Sequence, residues 1–246
     1  MFRTHAPEFV RILAGRPACI DPSWLGRIFP RAERRVSILD LGCGAGRLLR
    51  PLANIGSSVV GLDYSAELLA CAMSEAQALG NVTLVKGDMR NLGDFFPKQH
   101  FQVIVRAYTS LGYFSRTVEG QILRACHDVS TPDGRLIVDT FNAEWFRAHP
   151  VIERTTHLAD FDLLEHYAWN EGLHSVRCLW RYTRGDTVIT EIPFDLDGYT
   201  LTELDQLLST AGWARELLIR NIDRFQTAHE NEGLERLVVV ARKAKK

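Results

Sequence analysis

The sequence has no long apolar run. Its longest stretch free of Asp, Glu, Lys and Arg is Pro51 to Leu62, and that stretch carries Pro, Asn, Gly and Ser. A membrane-spanning helix needs about 20 mostly apolar residues, so none is expected. The first residues, Met1-Phe-Arg-Thr-His-Ala-Pro-Glu8, lack the apolar centre of a secretion signal. Cysteine is scarce and odd in number: Cys19, Cys43, Cys71, Cys126 and Cys178, with no C-x-x-C pair. That spacing argues against a disulfide framework and against a compact zinc site, so no metal and a reducing, cytoplasmic setting are expected. An excess of one charge is also missing. The 29 basic and 30 acidic residues leave a formal net charge of −1, which gives no bulk attraction to nucleic acid or to an anionic membrane. With 9 prolines and 18 glycines, collagen-like and low-complexity chains are excluded. No internal repeat is visible, which removes solenoids and propellers.

What is present is an ordinary globular composition, with 46% hydrophobic and 24% charged residues. Residues 1–35 hold scattered arginines and prolines and read as an arm or lid. A regular alternation then begins. Val36–Leu41, Val59–Asp63, Val82–Val85, Phe101–Arg106 and Arg135–Phe141 are short, β-branched, apolar runs that suit buried strands. Between them lie helical spacings at Arg47–Ile55, Ser65–Leu79 and Thr117–Val129. Ser65 serves as a start signal and Gly80 as a stop. Strands alternating with helices give a parallel sheet covered on both faces, an α/β architecture. After the fifth strand the rhythm changes. Phe161–Trp169, Leu173–Tyr182 and Thr187–Leu196 alternate at period two, separated by Asn170-Glu-Gly172 and Arg184-Gly-Asp186. Those separators are hairpin signals, so an antiparallel meander is expected there. A helix at Thr202–Ala211 and strands at Arg215–Arg220 and Leu234–Ala241 close the chain, and the basic tail Arg242–Lys246 reads as a frayed end.

The informative segment is Asp40-Leu-Gly42-Cys43-Gly44-Ala-Gly46-Arg47, where the first strand turns into the first helix. Glycines at such a turn let backbone approach a ligand, and the helix start offers unpaired N–H groups. A dinucleotide loop would read G-x-G-x-x-G, which places the bulky Arg47 where close packing needs Gly or Ala. The segment instead resembles the first motif of class I S-adenosylmethionine-dependent methyltransferases, an acidic strand end followed by G-x-G-x-G. Asp40, Gly42, Gly44 and Gly46 match it. Gly61-Leu-Asp63-Tyr64-Ser65 resembles the family's second motif, and Gly87-Asp88-Met89-Arg90 its adenine-side motif. Arg106-Ala-Tyr108-Thr109-Ser-Leu-Gly-Tyr113-Phe114 resembles the segment after strand four in bacterial small-molecule members.

The resemblance implies a Rossmann-like seven-stranded methyltransferase sheet in the order 3-2-1-4-5-7-6 with strand 7 antiparallel. A single domain over residues 1–246 is expected, with the cofactor core at 36–142, the inserted meander at 151–197 and a C-terminal part at 198–246. It further implies S-adenosyl-L-methionine as cofactor and S-adenosyl-L-homocysteine as product. Asp40, Gly42, Cys43, Gly44, Gly46, Asp63, Tyr64, Asp88, Met89 and Arg106 would form the cofactor site. Asp63 would take the ribose hydroxyls, Asp88 the adenine amino group, and Met89 would pack on the ring.

Methyl transfer is an in-line displacement in which the protein chiefly aligns the partners and excludes water. A base is needed only when the acceptor holds a proton of high pKa. His166, whose ordinary pKa lies near neutrality, and Tyr108 are the candidates for catalysis. Thr109, Tyr113, Asn142 and Glu144 follow strands four and five and are candidates for acceptor binding. The inserted meander favours a small-molecule acceptor under a roof. A nucleic-acid acceptor is disfavoured by the charge balance and by Arg106-Ala-Tyr-Thr109, which lacks an N/D-P-P-Y/F pattern. A nicotinamide-dependent oxidoreductase, and a non-methylating member of the same fold, are the remaining alternatives.

Overall fold

The computed structural model describes residues 36–108, 110–157, 160–221, 226–228 and 233–244. The expected arm at 1–35 and the candidate Thr109 lie outside them. The parallel strands are β1 (Ser37–Leu41), β2 (Ser58–Asp63), β3 (Val82–Lys86), β4 (Phe101–Arg106) and β5 (Ser130–Phe141). With β10 (Trp213–Asn221), β11 (Gln226–Ala228) and β12 (Arg236–Lys243) they form a sheet in the order β11-β10-β12-β5-β4-β1-β2-β3. Without the short edge strand β11 this is the expected seven-strand order. β12 runs antiparallel to both its neighbours. The basic tail is less frayed than expected, since Arg242 and Lys243 belong to β12 and Lys243 Nζ donates to the Ser130 carbonyl at 2.6 Å.

Helices cover both faces of this sheet. The short α1 (Leu49–Ala53) and α2 (Ala66–Leu79) bury Leu49, Leu52, Ala72 and Ala76 against Ile38, Val59 and Val103 on one face. On the other face, α4 (Arg116–Val129) and α6 (Leu201–Thr210) bury Ile122, Leu123, Leu204 and Leu208 against Leu39, Ile104 and Leu136. A single turn, α3 (Leu92–Phe95), precedes β4. Pro51 sits in the first turn of α1, where the N–H it lacks has no helical partner in any case, so the helix tolerates it. Ser65 Oγ accepts from Leu68 N at 3.2 Å and Gly80 ends α2 at φ +70°, as the sequence signals require. Pro132-Asp-Gly134, a turn-forming sequence, makes an irregularity inside β5, whose register against β4 jumps from Phe101↔Ser130 to Val103↔Arg135.

After β5 the chain leaves the sheet through α5 (Ala143–Ala148) and forms a second, antiparallel sheet. Its strands are β6 (Val151–His157), β7 (Asp162–Asn170), β8 (Ser175–Arg184) and β9 (Thr187–Asp197), in sequence order. The two hairpins fall where Asn170-Glu-Gly172 and Arg184-Gly-Asp186 place them. β6 is an addition to the expected three strands. It is an edge strand with almost every residue exposed, so its sequence carries no apolar alternation to read. The excursion closes on itself: Ala143 N donates to the Tyr199 carbonyl at 2.9 Å and Tyr199 N to the Phe141 carbonyl at 3.1 Å.

Thr200 opens α6 with a reciprocal cap, its Oγ1 accepting from Glu203 N at 3.1 Å and its own N–H donating to Glu203 Oε2 at 2.8 Å. Thr200→Ala is expected to lower the unfolding free energy by about 1 kcal/mol. Urea denaturation reads this directly, and an unchanged midpoint would mean that the cap contributes nothing.

Candidate active site

The carboxyl ends of β1, β2 and β4 open onto a cavity of about 380 Å³, within the size range of small-molecule sites. The glycine loop forms its floor. Gly42, Gly44 and Gly46 stand at φ +81°, +56° and +87°, a left-handed region costly to other residues. At Gly46 a Cβ would also meet Ala72 Cβ at 2.9 Å and Leu49 Cδ1 at 2.7 Å, so this glycine lets the loop pack against α2 and does not itself line the cavity. The loop is fastened to β2. Gly42 N and Cys43 N both donate to the Leu62 carbonyl, at 2.8 and 3.1 Å, and Gly44 N donates to Asp63 Oδ2 at 2.8 Å. The Cys43 amide is therefore used within the fold, and its buried thiol packs toward Gly61.

Three carboxylates face the cavity from its floor side. Asp63 accepts from Gly44 N and, through Oδ1, from Ser65 N at 2.8 Å. Burial pushes its carboxyl up, against those amide donors. Asp40 is 3% exposed, and its Oδ2 has no hydrogen-bond partner among the described residues. Burial and the neighbouring Asp63 push its carboxyl up to about 7, with Arg47 opposing. A buried carboxylate without a partner calls for a cationic or donor group from a ligand. Asp88 is held by Arg90, whose Nε lies 3.0 Å from both oxygens and whose guanidinium holds the carboxyl below its ordinary range. Met89 lies beside it, with Cε 3.4 Å from where a Cβ on Gly42 would stand, and the exposed Tyr64 borders the opening.

The opposite wall is aromatic. Tyr108, Tyr113 and Phe114 come from the loop after β4, and Trp180 and Phe194 from the inner face of the meander. The Trp180 and Phe194 rings meet edge to face at 5.0 Å, and Trp180 Nε1 donates to the Tyr167 hydroxyl at 3.2 Å. The Arg47 guanidinium stacks 4.0 Å from the Tyr108 ring centroid.

Besides Gly46, four sequence candidates among the described residues do not line the cavity. His166 lies on the outer face of the meander, because its neighbours Glu165 and Tyr167 take the inner side and strand side chains alternate. Its Nδ1 pairs with Glu153 Oε1 at 3.0 Å, so the expectation of a catalytic histidine is corrected. Arg106 is fully buried and serves the loop, not the cofactor floor. Its Nη1 meets Glu119 Oε2 at 3.0 Å and its Nη2 donates to the Ser110 carbonyl at 2.5 Å. Asn142 caps α5, accepting from Glu144 N at 3.1 Å and donating to the Leu234 carbonyl at 2.6 Å. Glu144 is exposed in the first turn of that helix. Residues that line the cavity without having been singled out include Arg47, Arg90, Phe114, Trp180 and Phe194. The period-two pattern marks Trp180 and Phe194 as one face of a sheet, but not what that face covers.

Comparisons with known proteins agree with this geometry. Residues 38–134 match a family model described as a methyltransferase domain. A ubiquinone biosynthesis O-methyltransferase of Bradyrhizobium sp. (strain ORS 278) is 32% identical over 115 residues, 44% of this chain and 41% of that protein. The chain thus spans well under half the length of that relative. Among solved structures, the CcbJ methyltransferase of Streptomyces caelestis superposes with a TM-score of 0.78 at 22% identity, covering 99% of this chain and 94% of that one. CalS10, an amino pentose methyltransferase from Micromonospora echinaspora, gives 0.71 at 18% identity with 99% of each chain covered. At these identities the structural likeness is one of fold. Residues 38–134 thus match a methyltransferase domain, and the chain as a whole shares the fold of solved methyltransferases.

Two predictions follow from the buried charges. The folded state holds a proton on Asp40 up to about pH 7, whereas the unfolded chain releases it near its ordinary value of 3.8. Stability is therefore lost as pH rises between those values. Asp40→Asn removes that penalty, so its melting temperature relative to the parent is expected to climb from pH 4 to pH 7 and level off above; a pH-independent difference would sink the assignment. Glu119→Ala strands the Arg106 guanidinium and is expected to destabilise by about 3–5 kcal/mol, checked by the same denaturation.

Proposed function

We propose that this chain transfers the methyl group of S-adenosylmethionine to a small-molecule acceptor by in-line displacement. The observation that carries the reading is the joining of a left-handed glycine loop to Asp63 on the floor of the cavity, beside an Asp40 oxygen that has no partner among the described residues. These residues fit the cofactor. The Asp63 carboxylate, oriented by two backbone amides, suits a ribose diol, which donates two hydroxyl protons. The Asp40 oxygen suits the ammonium of the methionyl end. Met89 and Asp88 line the same cavity beside them and are the groups available to the adenine. When bound, S-adenosylmethionine supplies an electrophilic methyl on a sulfonium.

The acceptor half is walled by Tyr108, Tyr113, Phe114, Trp180 and Phe194, which favours a small, largely apolar ligand held flat and away from water. Among the described residues no histidine lines the cavity, and the three carboxylates there belong to the cofactor side. Alignment is then this chain's main contribution, with the Tyr108 and Tyr113 hydroxyls as the polar groups on the acceptor side. The relatives' printed names include both an O-methyltransferase and a sugar N-methyltransferase, so an oxygen or a nitrogen nucleophile fits the reading.

Calorimetry with S-adenosylhomocysteine and with NADH tests it. Binding of the first and not the second is expected, and binding of NADH alone would overturn the proposal. Asp63→Ala is expected to weaken S-adenosylhomocysteine binding by about 1–3 kcal/mol, roughly ten- to a hundredfold. Unchanged affinity would remove Asp63 from the ribose site.

A further inference from the structure

Tyr108 carries a bulky ring at φ +54°, a backbone conformation that such residues adopt only when their surroundings impose it. The imposing group lies in the core sheet. Asp139, on β5 and 3% exposed, accepts from Tyr108 N through Oδ2 at 2.8 Å. Its Oδ1 accepts from Arg236 Nε, on the neighbouring strand β12, at 2.6 Å. A buried carboxylate is tolerated only when paired and hydrogen-bonded, and here both oxygens are used. Arg236 is fixed in turn by the Phe141 ring, 5.2 Å from its guanidinium carbon. The preceding residue, Glu235, pairs with Arg154 of the meander strand β6 at 2.6 Å. Neither Asp139 nor Arg236 lines the cavity.

We propose that Asp139 and Arg236 are positioning residues for the acceptor half of the cavity. They lock the backbone of Tyr108 in its left-handed turn and so stand its ring over Arg47 at the cavity wall. The hydrogen bond to the carboxylate offsets the strain at Tyr108, and the arginine pairs with the other oxygen of that carboxylate inside the protein. Arg236, at the start of β12, adjoins Glu235, whose ion pair ties the chain there to β6 of the meander. The role of the ring in acceptor binding rests on the methyl-transfer reading. The hold of Asp139 on Tyr108 does not.

The chain has 6 tyrosines, so fluorine NMR of protein labelled with 3-fluorotyrosine resolves each ring. Tyr108→Phe assigns the signal. Asp139→Asn keeps the shape of the side chain and removes its charge. It is expected to shift or split the Tyr108 resonance while those of Tyr182 and Tyr199 stay in place. Arg236→Lys, which keeps the charge but loses the Nε donor, is expected to do the same to a smaller extent, and serves if Asp139→Asn does not fold. A Tyr108 signal unmoved in a folded variant, or one that moves only together with those of Tyr182 and Tyr199, overturns the proposal. S-adenosylhomocysteine titrated into the parent and Asp139→Asn is expected to bind both equally; equal failure to bind would sink the methyl-transfer reading while leaving the fluorine result to judge Asp139.

Discussion

Two neighbouring strands, β1 and β4, send the chain that follows them to opposite faces of one sheet. The helices after β1 pack in the cluster of Ile38, Leu49 and Ala72, and the helix after β4 packs in the cluster of Leu39, Ile122 and Leu123. Between the two departing segments the sheet edge cannot be covered by either, and a crevice is unavoidable. Everything else described here furnishes that crevice. The glycine loop narrows one side of it, Asp63 ties that loop to the next strand, and Ala107, Tyr108, Ser110, Tyr113 and Phe114 wall the other side.

The parts of this arrangement that local sequence dictates were legible in advance. Buried parallel strands need unbroken β-branched runs, a left-handed loop needs glycine, and a helix start needs a cap. Those requirements mark β1 to β4, Gly42 to Gly46 and Ser65 without any knowledge of their neighbours. The parts that depend on distant pairing were not legible. His166 and Trp180 sit on adjacent strands of the meander, and nothing local distinguishes the side chain that faces the cavity from the one that faces outward. Arg106 ends a strand beside a presumed ligand loop, yet its partner Glu119 lies a helix turn into the following element. Asp139 meets Tyr108 across 31 residues and Arg236 across 97. Edge strand β6, exposed nearly throughout, leaves no pattern to read.

Charge is distributed by function around the crevice. Carboxylates on the floor differ in how far they are satisfied: Asp63 by two backbone amides, Asp88 by Arg90, and Asp40 by no partner at one oxygen. Behind the wall the acids are fully committed. Glu119 accepts from Arg106 and from the amides of Gly112 and Phe114, and Asp139 from Arg236 and the amide of Tyr108. A committed carboxylate fixes backbone geometry, whereas an uncommitted one in a dry site draws in a partner from outside. The same residue type thus builds the wall and awaits a ligand on the floor.

The excursion that roofs the cavity departs and returns through adjoining peptide groups at Phe141, Ala143 and Tyr199. Those bonds join the two ends whatever lies between them. The main sheet sees the meander as a loop tied off at its base, so β5 and α6 keep their places if the tied-off part changes in length or sequence. The roof is therefore a separable module over a constant floor, and the shape of the cavity can change from above without disturbing the glycine loop beneath it.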